Sequence, residues 1–274
     1  MIVTAEPVLI TCLAQRGNIG KSTCMSGIAA WLEQRGVPWQ GFDLDSDHRS
    51  FSRLYPETVR LVELGDEPEG DVIKVLRQVT GAVVSVIDPR AHLSATVLKA
   101  WEMIRFPESF AEAGGRIVAL LFPSDDLEVM TDLDATVTRL GGLVRYVVVR
   151  NPARSPRTRM FDGSELESEL RRLGADFIEL PVLLSLARNH LAAKEAEAGR
   201  GITVAEAVAN RELGLDPMVR LLIEDWVRTL FRRLDQLAPR LMPSAYAAKV
   251  VVRETAQTTH VAVQRGAKLN LGLL

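Results

Sequence analysis

The chain is poor in the residues that build most metal and covalent chemistry. Its 274 residues include two cysteines, Cys12 and Cys24, and four histidines, His48, His92, His190 and His260. The cysteines have no C-x-x-C spacing, so a disulfide framework or zinc knuckle is unsupported and a reducing, cytoplasmic setting is expected. The histidines lie far apart with no H-E-x-x-H or H-x-x-x-H pattern, which leaves a zinc enzyme without ligands. No G-x-S-x-G supplies an acyl-transfer serine. No apolar run approaches the ~20 residues that span a bilayer. The first residues lack a basic region ahead of an apolar one, so no signal peptide is expected. The closing "GAKLNLGLL" is apolar but lacks the basic amphipathic pattern of a membrane-tethering tail, and a membrane partner is not expected. A net charge of -2 gives no global attraction to nucleic acid, so any such surface must be local.

What the chain does have is 47% apolar and 25% charged residues, the balance of a packed globular core. Apolar runs bounded by turn residues alternate with helix-period segments. That pattern predicts an α/β fold, a mainly parallel sheet with helices on both faces. Strands are expected at "PVLITCLA", "VPWQGFD", "VRLVEL", "GAVVSVID", "RIVALLFP", "LVRYVVVRN" and "FIELPVL". Helices are expected from Ser22 to Arg35, closed by Gly36, and at "DVIKVLRQV", "DLEVMTDLDATVTRL" and "GSELESELRRLG", the last capped by Ser164. After about Ala192 the composition turns helix-prone and polar. Met218 to Leu237 then repeats Val219, Leu222, Trp226, Leu230, Leu234 and Leu237 on one face. The expected division is a nucleotide-binding domain over 1-195, a helical extension over 196-240, and a basic, loosely ordered tail over 241-274.

The first strand, a glycine-containing loop and a helix start come in the order that aims backbone N–H groups and a positive dipole end at an anion. The loop is "LAQRGNIGKST", Leu13 to Thr23, and it ends like G-x-x-x-x-G-K-[ST] although Gln15 stands where the first glycine belongs. In such a loop Lys21 reaches the β- and γ-phosphates and the Ser22 hydroxyl ligates Mg²⁺. Cys24, just inside the helix, is expected to pack as a small apolar side chain rather than to act as a helix-activated thiolate.

"QRGNIGKST" resembles "QKGGVGKTT", the deviant Walker A loop of the ParA/MinD ATPases, the SIMIBI branch of P-loop proteins. Gly17, Gly20, Lys21, Ser22 and Thr23 match directly. Ile19 is the usual small aliphatic, and Asn18 replaces a glycine but tolerates left-handed backbone. Arg16 stands at the signature lysine, which in that family reaches across an ATP-bridged dimer; a planar guanidinium is not equivalent to an ammonium. The resemblance covers roughly residues 7 to 195 and is closer to compact plasmid-borne relatives in conjugative-transfer and stability operons. It implies ATP and Mg²⁺ as ligands, with Lys21 and Arg16 on phosphates.

Further elements follow in the family's order. "FDLDSDHRSFS" resembles switch I, "DLDPQ". It implies Asp45 as the catalytic carboxylate that orients water and Asp43 as the metal-side one, with Ser46-Asp47 in place of Pro-Gln. Taken alone, three acids in five residues are more often a solvated turn. "VVSVID" is a hydrophobic strand ending in Asp88, the Walker B position for Mg²⁺. By the same resemblance Asn151 and the backbone near Pro181 flank the base. From Met218 onwards nine Lys or Arg stand against four acids. That surplus, like the loop of Arg150, Arg154, Arg157 and Arg159, suits non-specific DNA contacts or equally a solvated face. The expectation is an ATP-dependent homodimerising switch, hydrolysing slowly and stimulated by an unidentified partner protein. Plasmid partition or conjugative transfer is the expected setting. A non-hydrolysing nucleotide-binding adaptor is the alternative, and an ATP-dependent ligase ranks last.

Overall fold

The computed structural model describes residues 6–14 and 16–250. Seven strands form one all-parallel sheet in the order β3-β2-β4-β1-β5-β6-β7. They are β1 (Val8–Cys12), β2 (Trp39–Asp43), β3 (Val59–Leu61), β4 (Val84–Asp88), β5 (Arg116–Leu121), β6 (Arg145–Arg150) and β7 (Asp176–Glu179). The central strands β1 and β4 are buried at every residue. Helices on both faces exclude water from them, which is why they read as near-continuous apolar runs rather than alternating ones.

On one face Val8, Ile10 and Cys12 of β1 pack beneath α1 (Lys21–Arg35), together with α7 (Ser185–Ala198), α8 (Val204–Ala209), α9 (Pro217–Gln236) and α10 (Ala238–Leu241). On the other, Leu9 packs beneath α2 (Pro68–Val79), α3 (Ser94–Met103), α4 (Phe106–Glu112), α5 (Leu127–Leu140) and α6 (Glu165–Arg172). Local signals set the ends. Gly36 closes α1 with φ 66°, and the Ser164 and Asp126 side chains accept first-turn N–H groups of α6 and α5. The helix-prone stretch after Ala192 is broken by Gly199, at φ 64°, into α7 and α8.

The amphipathic face expected of α9 is real, and it packs into the same core as α1 and β1. Gly27 of α1 makes the close approach: a Cβ there would lie 2.6 Å from Leu230. Of the expected basic tail, residues 241–250 are described, 244–250 as a helix, and 251–274 lie outside the described residues. No described helix is long and apolar enough to cross a membrane.

The topology fixes where a ligand goes. From β1 the chain crosses to β2, returns to β4 beside β1, then continues on the opposite side of β1 through β5. The carboxyl ends of β1 and β4 therefore flank the point where the winding reverses, the crevice in which open parallel sheets bind ligands. Asp43 and Asp88 end adjacent strands in register with each other.

Candidate functional site

Between β1 and α1 the backbone takes two left-handed turns, at Asn18 (φ 61°) and Gly20 (φ 98°). Asn is among the few side-chain-bearing residues that accept this conformation readily, so Asn18 preserves the loop without a glycine. Gly20 is required for a second reason. A Cβ there would lie 2.1 Å from Asn151 Nδ2, whose amide donates to the Ile19 carbonyl at 2.9 Å. The first turn of α1 has no side-chain cap. Its N–H groups and the helix dipole thus face the crevice ready for an anion.

Lys21 is only 7% exposed. Its Nζ donates to the carbonyls of Arg16 at 2.8 Å and Ala14 at 3.3 Å, within the loop. Burial draws its pKa down, opposed by Cys12, Asp88 and Asp45 nearby. Asp88 is buried, and its Oδ1 has no hydrogen-bond partner among the described residues. Burial pushes its pKa up to about 7; a hydrogen bond from Ser22 opposes the rise and the Asp43 charge adds to it. Ser22 also meets Ser50, hydroxyl to hydroxyl at 3.5 Å. Cys24 packs in the core, its thiol pushed up to about 12 by burial, as a small apolar residue rather than a thiolate.

The two switch-like aspartates differ. Asp45 lines the main cleft, its carboxylate accepting from the Asp47 and His48 backbone N–H groups and lying 3.2 Å from His48 Nδ1. Asp43 is fully buried and turned into its own loop. Oδ1 accepts from Asp45 N at 3.0 Å. Oδ2 accepts from Phe51 N at 3.1 Å, Ser52 N at 2.8 Å and Ser52 Oγ at 3.0 Å. These four contacts hold the loop, an engagement the sequence did not announce, while Oδ1, with a single donor, keeps capacity to accept a further contact. Arg16 differs too: its guanidinium lies on Asp126 and 3.6 Å from Glu128 at the start of α5.

Two connected cavities follow from these positions. The larger, about 800 Å³, is lined by Gly17, Asn18, Lys21, Ser22, Asp45 and Asp88, with His48, Arg90 and His92 from the flanking loops. An ion pair of 2.8 Å between Arg90 and Asp47 ties those loops together. The smaller, about 290 Å³, is mostly apolar and holds Gly20, Thr23, Asn151 and Pro181 beside Leu180, Leu183 and Trp226. Strand, cradle, lysine and strand-ending aspartate stand in one crevice. The fold is that of a P-loop protein.

No family model matches the chain, and no curated protein does. Solved structures similar to it include the MinD cell division protein of Aquifex aeolicus, at 15% identity and a TM-score of 0.44, covering 81% of this chain and 96% of that one. The signal recognition particle receptor FtsY from Elizabethkingia anophelis matches at 14% identity and 0.43, covering 62% of this chain and 57% of the receptor. A plasmid partition protein from Borrelia burgdorferi matches at 12% identity and 0.36, covering 64% and 89%. The chain spans about half the length of the FtsY receptors it matches. These are likenesses of layout, and the fold assignment rests on the strand order and the loop.

Sequence reasoning missed several side chains that line the crevice. Ser50, Arg90 and His92 come from the loops after β2 and β4, and Arg188 and Glu195 from α7. Ser50, five residues beyond Asp45, and Arg90 and His92, two and four beyond Asp88, carry a local signal; Arg188 and Glu195 carry none. Of the six basic residues after Met218 that are described, four are engaged within the chain by hydrogen bonds or ion pairs. Arg220 donates to the carbonyls of Ala207, Val208 and Asn210, and Arg228 meets Asp225. Arg233 meets Glu179 and Arg240 meets Asp176. Arg253, Arg265 and Lys268 lie outside the described residues.

Proposed function

We propose that the chain is a magnesium-dependent ATP-binding switch of the ParA/MinD type, in which the nucleotide governs pairing of two copies. The observation that carries this reading is the unpartnered, buried Asp88 Oδ1 beside Ser22 and Lys21 at the mouth of an uncapped helix. A buried carboxylate oxygen without a donor fits a cation, and an uncapped helix start fits an anion. Among the described residues no three His, Cys, Asp or Glu side chains gather as a cage. Mg²⁺ is commonly held by one or two side chains together with phosphate oxygens, so Ser22 and Asp88 fit it. Bound there, the ion would neutralise charge on the phosphates.

The chain's own groups have separable tasks. The amides from Gly17 to Thr23, Ile19 among them, and Lys21, once free of the Ala14 and Arg16 carbonyls, take the phosphates. Asp45 positions the attacking water, a task of placement rather than covalent chemistry. Asp43 holds the Asp45–Ser52 loop in shape, and its Oδ1, with one donor, is the further carboxylate oxygen available to face the metal. Asn151 and Pro181 flank the base; adenine rests on the resemblance alone, as do plasmid partition or conjugative transfer and the partner protein. Lys21→Ala is expected to remove ATP affinity in titration calorimetry with magnesium present, and ATP-dependent dimers in light scattering. Undiminished dimerisation by that variant sinks the switch.

The second reading, a nucleotide-binding adaptor that does not hydrolyse, is favoured by one observation: Arg16 lies on Asp126 and near Glu128 within its own chain. Phosphate release that vanishes in Asp45→Ala eliminates the adaptor.

A further inference from the structure

The two cavities meet where Ser22, Ser50, Leu54 and Glu195 line both of them. Among the described residues Glu195 is the only acidic side chain at that junction and the only carboxylate in the lining of the smaller cavity. It stands in the last turns of α7, and Ile202 N–H donates to its Oε1 at 3.0 Å, which holds the side chain in place. The segment beyond it is packed equally closely. A Cβ on Gly201 would lie 2.7 Å from the Arg53 carbonyl oxygen, so this stretch rests directly on the loop after β2.

We infer that Glu195 reads the sugar of the bound nucleotide, accepting hydrogen bonds from the vicinal hydroxyls of a ribose and so selecting ribonucleotides over deoxyribonucleotides. The inference rests on the nucleotide reading above. With phosphates at Lys21 and Ser22 and the base beside Asn151 and Pro181, the sugar crosses the junction. A carboxylate repels phosphate oxygens and offers nothing to an apolar base face, whereas it accepts from two hydroxyl donors at once. Carboxylates take ribose hydroxyls in the same way in dinucleotide-binding sheets. A site built to bond a hydroxyl discriminates against the analogue that lacks it, because its acceptor is then left desolvated and unpaired.

The test is titration calorimetry of the full chain with ADP, 2′-deoxy-ADP and 3′-deoxy-ADP in magnesium. The wild type is expected to hold ADP about tenfold more tightly than at least one deoxy analogue, the size of one charge-assisted hydrogen bond. Glu195→Ala is expected to bind all three alike. Glu195→Gln keeps an acceptor for Ile202 N–H and is expected to retain the fold of the wild type by circular dichroism, while losing most of the discrimination. Equal affinity of the wild type for the three nucleotides overturns the sugar-reading role and leaves nucleotide binding intact. An equal loss for all three in Glu195→Gln also overturns it, showing a structural role only. No affinity for any of them overturns the nucleotide reading, and this inference with it.

Discussion

Asp88 ends β4 with one carboxylate oxygen lacking a partner among the described residues and with its charge disfavoured chiefly by burial. Its folded pKa of about 7 stands above the ordinary 3.8, so between those values the folded chain keeps a proton that the unfolded chain releases. Stability then falls as pH rises across that window, and above about pH 7 the whole penalty is present. A shift of this size corresponds to a few kcal/mol at most, at ~1.4 kcal/mol per pH unit. Asp88→Asn has no such titration. In the absence of magnesium and nucleotide it is expected to unfold at higher urea than the wild type at pH 8 and at nearly the same urea at pH 4. A parallel decline of both proteins from pH 4 to 8 would move the penalty elsewhere. Asp88 was legible in the sequence because an apolar strand ending in an acid is a local pattern. The contacts by which Asp43 holds its loop were not, since their four donors come from residues 45 to 52 only once the loop has folded back.

Elements are held by a small number of buried polar ties as well as by apolar faces. Asp235 of α9 accepts from Trp31 Nε1 and Arg35 Nε, both at 2.8 Å, and from Arg35 Nη2 at 2.5 Å. The tie fixes α9 against α1, the helix whose start forms the phosphate cradle. Asp235→Ala leaves a largely buried guanidinium and an indole N–H without an acceptor, at a cost of about 3 kcal/mol. Asp235→Asn, which keeps one acceptor, should lose less. Urea unfolding monitored by tryptophan fluorescence reads both, and a loss below about 0.5 kcal/mol in Asp235→Ala would mean the tie is not needed. The apolar period of α9 announced the helix, but Asp235 looks like any surface acid in that period. The sequence reading also assigns no element to α3 and α4. Arg105, at φ 49°, and Pro107 break that region into two short helices whose apolar faces are each too brief to show a clear period.

At the scale of the whole molecule, the question is what a second copy would meet. Arg16 stands half-exposed beside the phosphate cradle, but its guanidinium is on Asp126 and within 3.6 Å of Glu128. If pairing of two copies uses Arg16, as the resemblance implies for that position, the contact with α5 must first be given up, and dimerisation is weakened by whatever that contact is worth. For an exposed pair this is about 0–1 kcal/mol in each copy, so about 0–2 kcal/mol for the two, up to roughly thirtyfold in a dimer dissociation constant. Asp126 also caps α5, accepting from Glu128 N and Val129 N, so its removal would confound the measurement. Asn caps a helix as well as Asp does. Asp126→Asn therefore loosens Arg16 while keeping the cap. It is expected to raise the dimer fraction seen by light scattering with ATP and magnesium, without changing thermal stability, whereas Arg16→Ala is expected to lower it. The same direction of change in both variants would show that Arg16 serves α5 alone and that the dimer, where it forms, is built on other groups.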